Sequence, residues 1–273
     1  MTAASQRAAS SRRRLLLRTA ALGLAFGTVR LKADAGAPLL AAATSLRDAM
    51  HALLDAFSLS GGGTLNVAFG ASGNLYRQLR QGAPFQALFS ADESYIDRLA
   101  EDGFIVGSGQ VYALGRLALV ISERFPITAD PYLVDVSAAL DDGRLKRFAI
   151  ASPLHAPYGQ RAREALENLG LWNRIESRLV VGESVAQAAQ FALSGATQGG
   201  LVASSLIPAM AHQGAIKSVL VSQPIYTPLR QKAGLRAGAD PVVRAFLTFV
   251  LSPHGQHLLD RHGFEPVRPP AAG

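Results

Sequence analysis

Four points in this chain join an apolar run to an amphipathic helix through a short, uncharged or weakly charged turn. They are Thr44-Ser45, Ala71-Ser72-Gly73, Pro157-Tyr158-Gly159 and Glu183-Ser184-Val185. The first backbone N–H groups of a helix have no intrahelical acceptor, and the helix macrodipole places roughly half a positive charge there. Each junction can therefore hold an oxyanion without lysine or arginine. Ser45 and Ser72 would add hydroxyl donors, while Tyr158 and Val185 lie where a backbone N–H is on offer. Four such ends meeting at one place would form a pocket for a single oxyanion, built from neutral donors. Taken singly, either serine is more simply explained as an ordinary helix N-cap. Convergence of the four cannot be read from periodicity.

Other chemistry has weaker support. Gly70-Ala71-Ser72-Gly73 resembles a nucleophile elbow, but its second glycine falls one position early for G-x-S-x-G. His155 lies near a junction with no carboxylate in its local sequence to complete a hydrolytic triad. His254 and His257 stand at i, i+3 with His262 beyond, a spacing that could face a metal, although surface or capping histidines explain it more simply. No P-loop or G-x-G-x-x-G is present, and Gly61-Gly62-Gly63 has no lysine after it. The sequence asks for no cofactor and no free metal ion.

The elements that must carry the junctions alternate. Leu39 to Ala43 is a short apolar run, followed by Leu46, Ala49, Met50, Leu53, Leu54 and Phe57 at helical spacing. Leu65 to Phe69 leads through Ser72 into a helix with Leu75 and Leu79, and Gly82 and Pro84 stop it. Ala87-Leu88-Phe89 begins a third unit, and Val111 to Ser122 reads as one long strand. Pro126, Pro131 and Asp141-Asp142-Gly143 then break the rhythm. It restarts with Phe148-Ala149-Ile150, the Tyr158 helix closed by Gly170, Leu179-Val180-Val181, the Val185 helix ended by Gly195, and Gly200 to Ala203. Strand–helix alternation in two groups predicts an α/β protein of two lobes, each a mostly parallel sheet flanked by helices. Ligands in such sheets lie beyond the carboxyl ends of the strands, where all four junctions fall.

The chain has 273 residues, and residues 1–35 read as an export signal. Basic residues that include Arg12, Arg13 and Arg14 precede an apolar stretch from Thr19 to Val29, and Ala33-Asp34-Ala35 supplies an A-x-A cleavage site. Ser11-Arg12-Arg13-Arg14-Leu15-Leu16 resembles a twin-arginine signal. Most of the formal net charge of +7 lies in this leader, so residues 36–273 are close to neutral. That removes the basic stripe nucleic acid would need. No segment reaches the roughly 20 uncharged apolar residues that span a bilayer. The absence of cysteine excludes disulfides, thiolate chemistry and a lipoprotein linkage. The expectation is a periplasmic, exported, soluble protein.

Several segments together carry a family resemblance. Ala41-Ala42-Ala43-Thr44-Ser45-Leu46, Phe69-Gly70-Ala71-Ser72-Gly73-Asn74-Leu75, Gln81-Gly82-Ala83-Pro84 and Phe89-Ser90-Ala91-Asp92 occur in an order and spacing that resembles the periplasmic molybdate-binding proteins of ABC importers. Gly115 to Val120, Pro157-Tyr158-Gly159, Ala162 to Leu169 and Leu258 to Phe264 extend the resemblance over residues 36–273. It implies a type II periplasmic-binding-protein fold, with residues 36–117 and 224–273 forming one lobe and 118–223 the other. It implies capture of molybdate, and of tungstate beside it, for delivery to a membrane permease by a monomer without enzymatic activity. Ser45, Ser72, Tyr158 and Val185 would hold the anion. The best-known members place a tyrosine hydroxyl donor where this chain has Ala203, so Ser204, Tyr158 or a water would have to supply that bond. A lost charge-assisted hydrogen bond is worth about 1.5 to 3 kcal/mol. Another oxyanion or small organic anion, or a secreted hydrolase, remains open as an alternative.

Overall fold

The computed structural model describes residues 36–267. The expected leader, 1–35, lies outside the described residues. The chain begins with β1 (Leu39–Ala43), whose last four residues are buried, and passes through a 3-10 turn (Thr44–Leu46) directly into α1 (Arg47–Leu59). Ala49, Met50, Leu53 and Phe57 recur at helical spacing and form the buried stripe of α1. Gly61 and Gly63, at φ 84° and 97°, turn the chain after it with a backbone that other residues rarely adopt. Then come β2 (Asn66–Gly70), α2 (Ser72–Arg80), β3 (Ala87–Ser90), α3 (Glu93–Glu101) and β4 (Gln110–Gly115).

The strand expected over Val111 to Ser122 is two strands in different sheets. β4 ends at Gly115, Arg116 stands between, and β5 (Leu117–Ser122) starts the second sheet. Arg116 secures the break: its guanidinium pairs with Glu265, and its carbonyl accepts from Ser204 N–H at 2.9 Å. The pattern alone could not show this, because both halves are apolar and a change of sheet leaves no mark on hydrophobicity.

Then follow α4 (Val134–Asp141), β6 (Phe148–Ala151), α5 (Pro157–Asn168), α6 (Trp172–Ile175), β7 (Leu179–Gly182), α7 (Val185–Leu193), β8 (Gly199–Ala203), α8 (Ile207–Gln213) and β9 (Ile216–Leu220). Beyond residues 221–228 the chain returns to the first sheet with β10 (Leu229–Leu235), α9 (Pro241–Leu251), α10 (Pro253–Arg261) and β11 (Glu265–Pro266).

The first sheet has six strands in the order β11-β4-β10-β3-β1-β2, and the second has five in the order β7-β6-β8-β5-β9. The expected helix-flanked α/β architecture is present, although each sheet is mixed. Parallel pairing joins β1 to β2 and β3, and β6 to β7 and β8. The strands next to the chain's passages between sheets, β4, β5 and β10, pair antiparallel with all their neighbours. A strand that enters from the other sheet needs no helical crossover, so nothing forces it parallel.

Separate cores support the two sheets. Phe57, Phe89, Tyr112 and Phe246 pack in the first with ring centroids 5.3 to 5.8 Å apart. The second sheet is packed by Leu117 to Ile121, Phe148, Ile150, Leu166 and Leu201, among others. Rigid parallel halves fix the strand ends, and with them the helix starts that follow β1, β2, β6 and β7.

Candidate anion-binding site

Ser45, Ser72, Tyr158 and Val185 line one cavity, with Ala43, Thr44, Gly70, Ala71, Ala91, Ala156 and Pro157 completing its wall. No charged side chain is among them. The cavity encloses about 190 Å³ of atom-free space, part of it open to solvent.

Each of the four residues lies in the first turn of its helix. Ser72 and Val185 are the first residues of α2 and α7, Tyr158 is the second of α5, and Ser45 is the second of the 3-10 turn leading into α1. The N-cap reading of the serines does not hold, because the capping positions are Ala43 and Ala71, and Ala156 caps α5. An alanine cap has no side-chain acceptor, so the leading N–H groups are left for something else. Three helices away from the cavity carry side-chain caps. Asp92 accepts from Ser94 N–H, Asp240 from Val242 N–H and Ser252 from Gly255 N–H. α7 is intermediate, since Ser184 accepts from Gln187 N–H in its third position.

The two hydroxyls are buried. Ser72 Oγ accepts from Ala91 N–H at 3.0 Å, which leaves its own proton to donate. Ser45 Oγ has no hydrogen-bond partner among the described residues. An unpartnered buried hydroxyl facing a cavity costs free energy unless a ligand satisfies it.

Contacts across the cleft hold the two halves together around this space. Gly73 N–H donates to the His155 carbonyl at 2.9 Å, Ser205 Oγ donates to the Ser45 carbonyl at 2.8 Å, and Arg161 pairs with Asp92 at 2.9 Å. Tyr158 reaches from α5 to the first sheet, where Gln231 Nε2 donates to its hydroxyl at 3.1 Å. Burial pushes the Tyr158 phenol well above its ordinary pKa, and the hydrogen bond from Gln231 opposes this in part.

Ala203 is not in the wall of the cavity. It ends β8, fully buried, paired with Leu117 in the second core. Ser204, one of the stand-ins for the tyrosine expected there, donates instead to the Gly263 carbonyl at 2.9 Å.

Sequence reasoning missed Gln231, Asp92 and Arg161. Gln231 had a signal: it stands on the inward face of β10 between Leu229 and Ala233, where an apolar residue belongs. It missed Glu183 as well, whose carboxylate lies 3.1 Å from His155 Nε2 while His155 Nδ1 is 3.3 Å from Ser152 Oγ. None of His155, Glu183 and Ser152 lines the cavity. His155 thereby ties its loop to the turn before α7 and holds the carbonyl that Gly73 uses. The C-terminal histidines do not converge. His254 packs edge-on to Phe249 and His262 Nδ1 contacts the Leu258 carbonyl, and the described residues contain no group of three metal-binding side chains.

Comparison with known proteins places the chain in a family. Residues 38–265 match the family model described as bacterial extracellular solute-binding protein. The molybdate-binding protein ModA of Rhodobacter capsulatus is 36% identical over 89% of this chain and 94% of its own length. ModA of Azotobacter vinelandii is 31% identical over 89% of this chain and 95% of its own length. The solved structure titled as the Azotobacter vinelandii periplasmic molybdate-binding protein superposes with a TM-score of 0.75 at 27% identity, covering 85% of this chain and 99% of that one. The sulfate-binding protein SubI of Mycobacterium tuberculosis, at 17% identity and a TM-score of 0.73, shares the fold; the match covers 85% of this chain and 88% of that one. This chain belongs to the family of bacterial extracellular solute-binding proteins, and molybdate-binding proteins are among its relatives over nearly nine-tenths of its length.

Proposed function

We propose that this protein captures molybdate, and tungstate with it, in the periplasm and presents it to the membrane permease of an ABC importer, acting as a monomer and catalysing no reaction. The observation that supports this most is a cavity walled by neutral residues at four helix starts, three of them capped by alanine. A dianion there would serve as the missing cap for several helices at once. Fixed N–H and O–H donors discriminate by radius and protonation state, whereas a net positive charge would attract all anions alike.

In this reading Ser45 and Ser72 each give a hydroxyl and a backbone N–H, and Tyr158 and Val185 give backbone N–H groups. Ala203 contributes nothing through its side chain. The halves close as the anion binds, and the contacts across the cleft form in the closed state. No molybdenum cofactor is involved, because the metal arrives and leaves inside the oxyanion.

Competition between molybdate and tungstate in a calorimetric titration tests the ligand pair. Displacement of one by the other at unit stoichiometry is expected. Failure of tungstate to compete would restrict the site to molybdate.

A further inference from the structure

Two 3-10 turns, one from each half, meet at the cleft. Thr44–Leu46 follows β1, Ser204–Leu206 follows β8, and all six residues are buried. Neither turn has a side-chain cap. The first turn brings Thr44 and Ser45 to the cavity wall, whereas none of Ser204, Ser205 and Leu206 lines the cavity. The two consecutive serines of the second turn instead donate to backbone carbonyls of the first half. Ser204 Oγ donates to the Gly263 carbonyl at 2.9 Å, and Ser205 Oγ donates to the Ser45 carbonyl at 2.8 Å.

Ser45 is therefore held on two sides and unpartnered on the third. Its chain enters from β1, where Ala43 is paired with Gly70 in the parallel part of the sheet. Its carbonyl is gripped from the other half by Ser205, itself only 4% exposed, so that leaving either group unpaired there would cost free energy. Its hydroxyl has no partner among the described residues. No bond to the hydroxyl fixes its direction, so its aim depends on the backbone that carries it. The two peptide planes flanking a residue set the direction of its Cα–Cβ bond, and a donor on the Ser45 carbonyl fixes one of those planes.

We propose that Ser205 is a positioning residue for anion capture: by holding the Ser45 carbonyl from across the cleft it aims the Ser45 hydroxyl into the cavity, so that Ser45 joins ligand and closure in one residue. Ser205 touches no ligand. The turn after β8 serves the anion at one remove, through the backbone of the opposite half, and a donor at Ala203 is not needed for it to do so. When the halves part, Ser45 loses this support and the anion loses an aligned donor. Ser204 acts elsewhere, because the Gly263 carbonyl it holds belongs to no residue of the cavity wall.

The inference rests on the anion-binding reading above, and the test separates the two. The wild type, Ser45→Ala, Ser204→Ala, Ser205→Ala and the double variants that combine Ser45→Ala with each of the other two are titrated with sodium molybdate by calorimetry. Thermal melts confirm that each is folded, and stopped flow gives the rates. Ser205→Ala is expected to weaken binding about three- to tenfold, the worth of one hydrogen bond, through faster release with the association rate little changed. A residue that acts through another reveals it in a double-mutant cycle. Once Ser45→Ala has removed the hydroxyl, adding Ser205→Ala should weaken binding by less than about twofold, while Ser204→Ala should have the same effect in both backgrounds. Losses that multiply when Ser45→Ala and Ser205→Ala are combined would overturn the inference, as would wild-type affinity for Ser205→Ala. Equal coupling of Ser204 to Ser45 would also overturn it, by assigning the effect to packing of the whole turn. A wild type that does not bind molybdate would bring down the anion reading itself.

Discussion

The backbone N–H of Gly73 donates to the carbonyl of His155 at 2.9 Å, joining the second residue of α2 in the first half of the molecule to the loop before α5 in the second. That bond needs a glycine. A Cβ on residue 73 would lie 2.7 Å from the His155 carbonyl oxygen and 2.9 Å from the Tyr95 hydroxyl. Gly73→Ala should therefore resist closure. Overpacking of this size costs about 1 to 3 kcal/mol, so molybdate affinity should fall about tenfold to a hundredfold with little change in the melting temperature of the ligand-free protein. Calorimetry paired with small-angle scattering of the liganded form checks this.

Ser45→Ala and Ser72→Ala each remove one donor to the anion. Each should lower affinity about tenfold to a hundredfold, and the pair together should abolish measurable binding. Neither serine caps a helix, so circular dichroism of the ligand-free double variant should stay close to wild type, while loss of the acceptor for Ala91 N–H should lower its melting temperature by a few degrees.

Arg161 and Asp92 meet across the cleft at 2.9 Å with side chains only 19% and 9% exposed. Removing one partner from such a pair leaves the other charge poorly solvated. Arg161→Gln should destabilise the closed form and also leave an uncompensated carboxylate there. Stopped-flow measurements should show release of molybdate faster by about tenfold, with a smaller change in the association rate.

Ligand binding should raise thermal stability. At a free molybdate concentration 100 times Kd the gain is about 2.7 kcal/mol, which for a domain of this size shifts Tm by roughly 5 to 10 °C. A melting curve with and without the anion measures it.

Acid stability has a local source far from the cleft. Arg144 beside Asp135, together with the Thr128 N–H, holds the Asp135 carboxyl down to about 2. An unfolded aspartate titrates near 3.9. The carboxylate thus contributes stability that is present above about pH 4 and lost as pH falls through about 2. Asp135→Asn should melt earlier than wild type at neutral pH, and the gap should close by about pH 2.

The alternation of strand and helix, the stop signals at Gly61 to Gly63, Gly170 and Gly195, and the four junctions were legible because each is a local property of the chain. The alanine caps Ala43 and Ala71 were not read, because the serines beside them are of the residue type that ordinarily caps a helix. The hydrophobic pattern did not mark the change of sheet at Arg116, which depends on Glu265 and Ser204 at distant positions, although the lobe bounds implied by the resemblance fall beside it. Gln231 and Tyr112 lie 119 residues apart in sequence, and only the fold brings Tyr158 to meet them. Ala203, placed by resemblance at the site, ends a buried strand beside Leu117 and is not among the residues that line the cavity.

The most direct test of the central claim is a calorimetric titration of residues 36–273 with molybdate, set beside sulfate and phosphate. Tight binding of one molybdate per chain, with phosphate silent and sulfate much weaker, is the predicted result. Silence toward molybdate, or equal binding of all three anions, would contradict a site built from fixed neutral donors around a single unprotonated oxyanion.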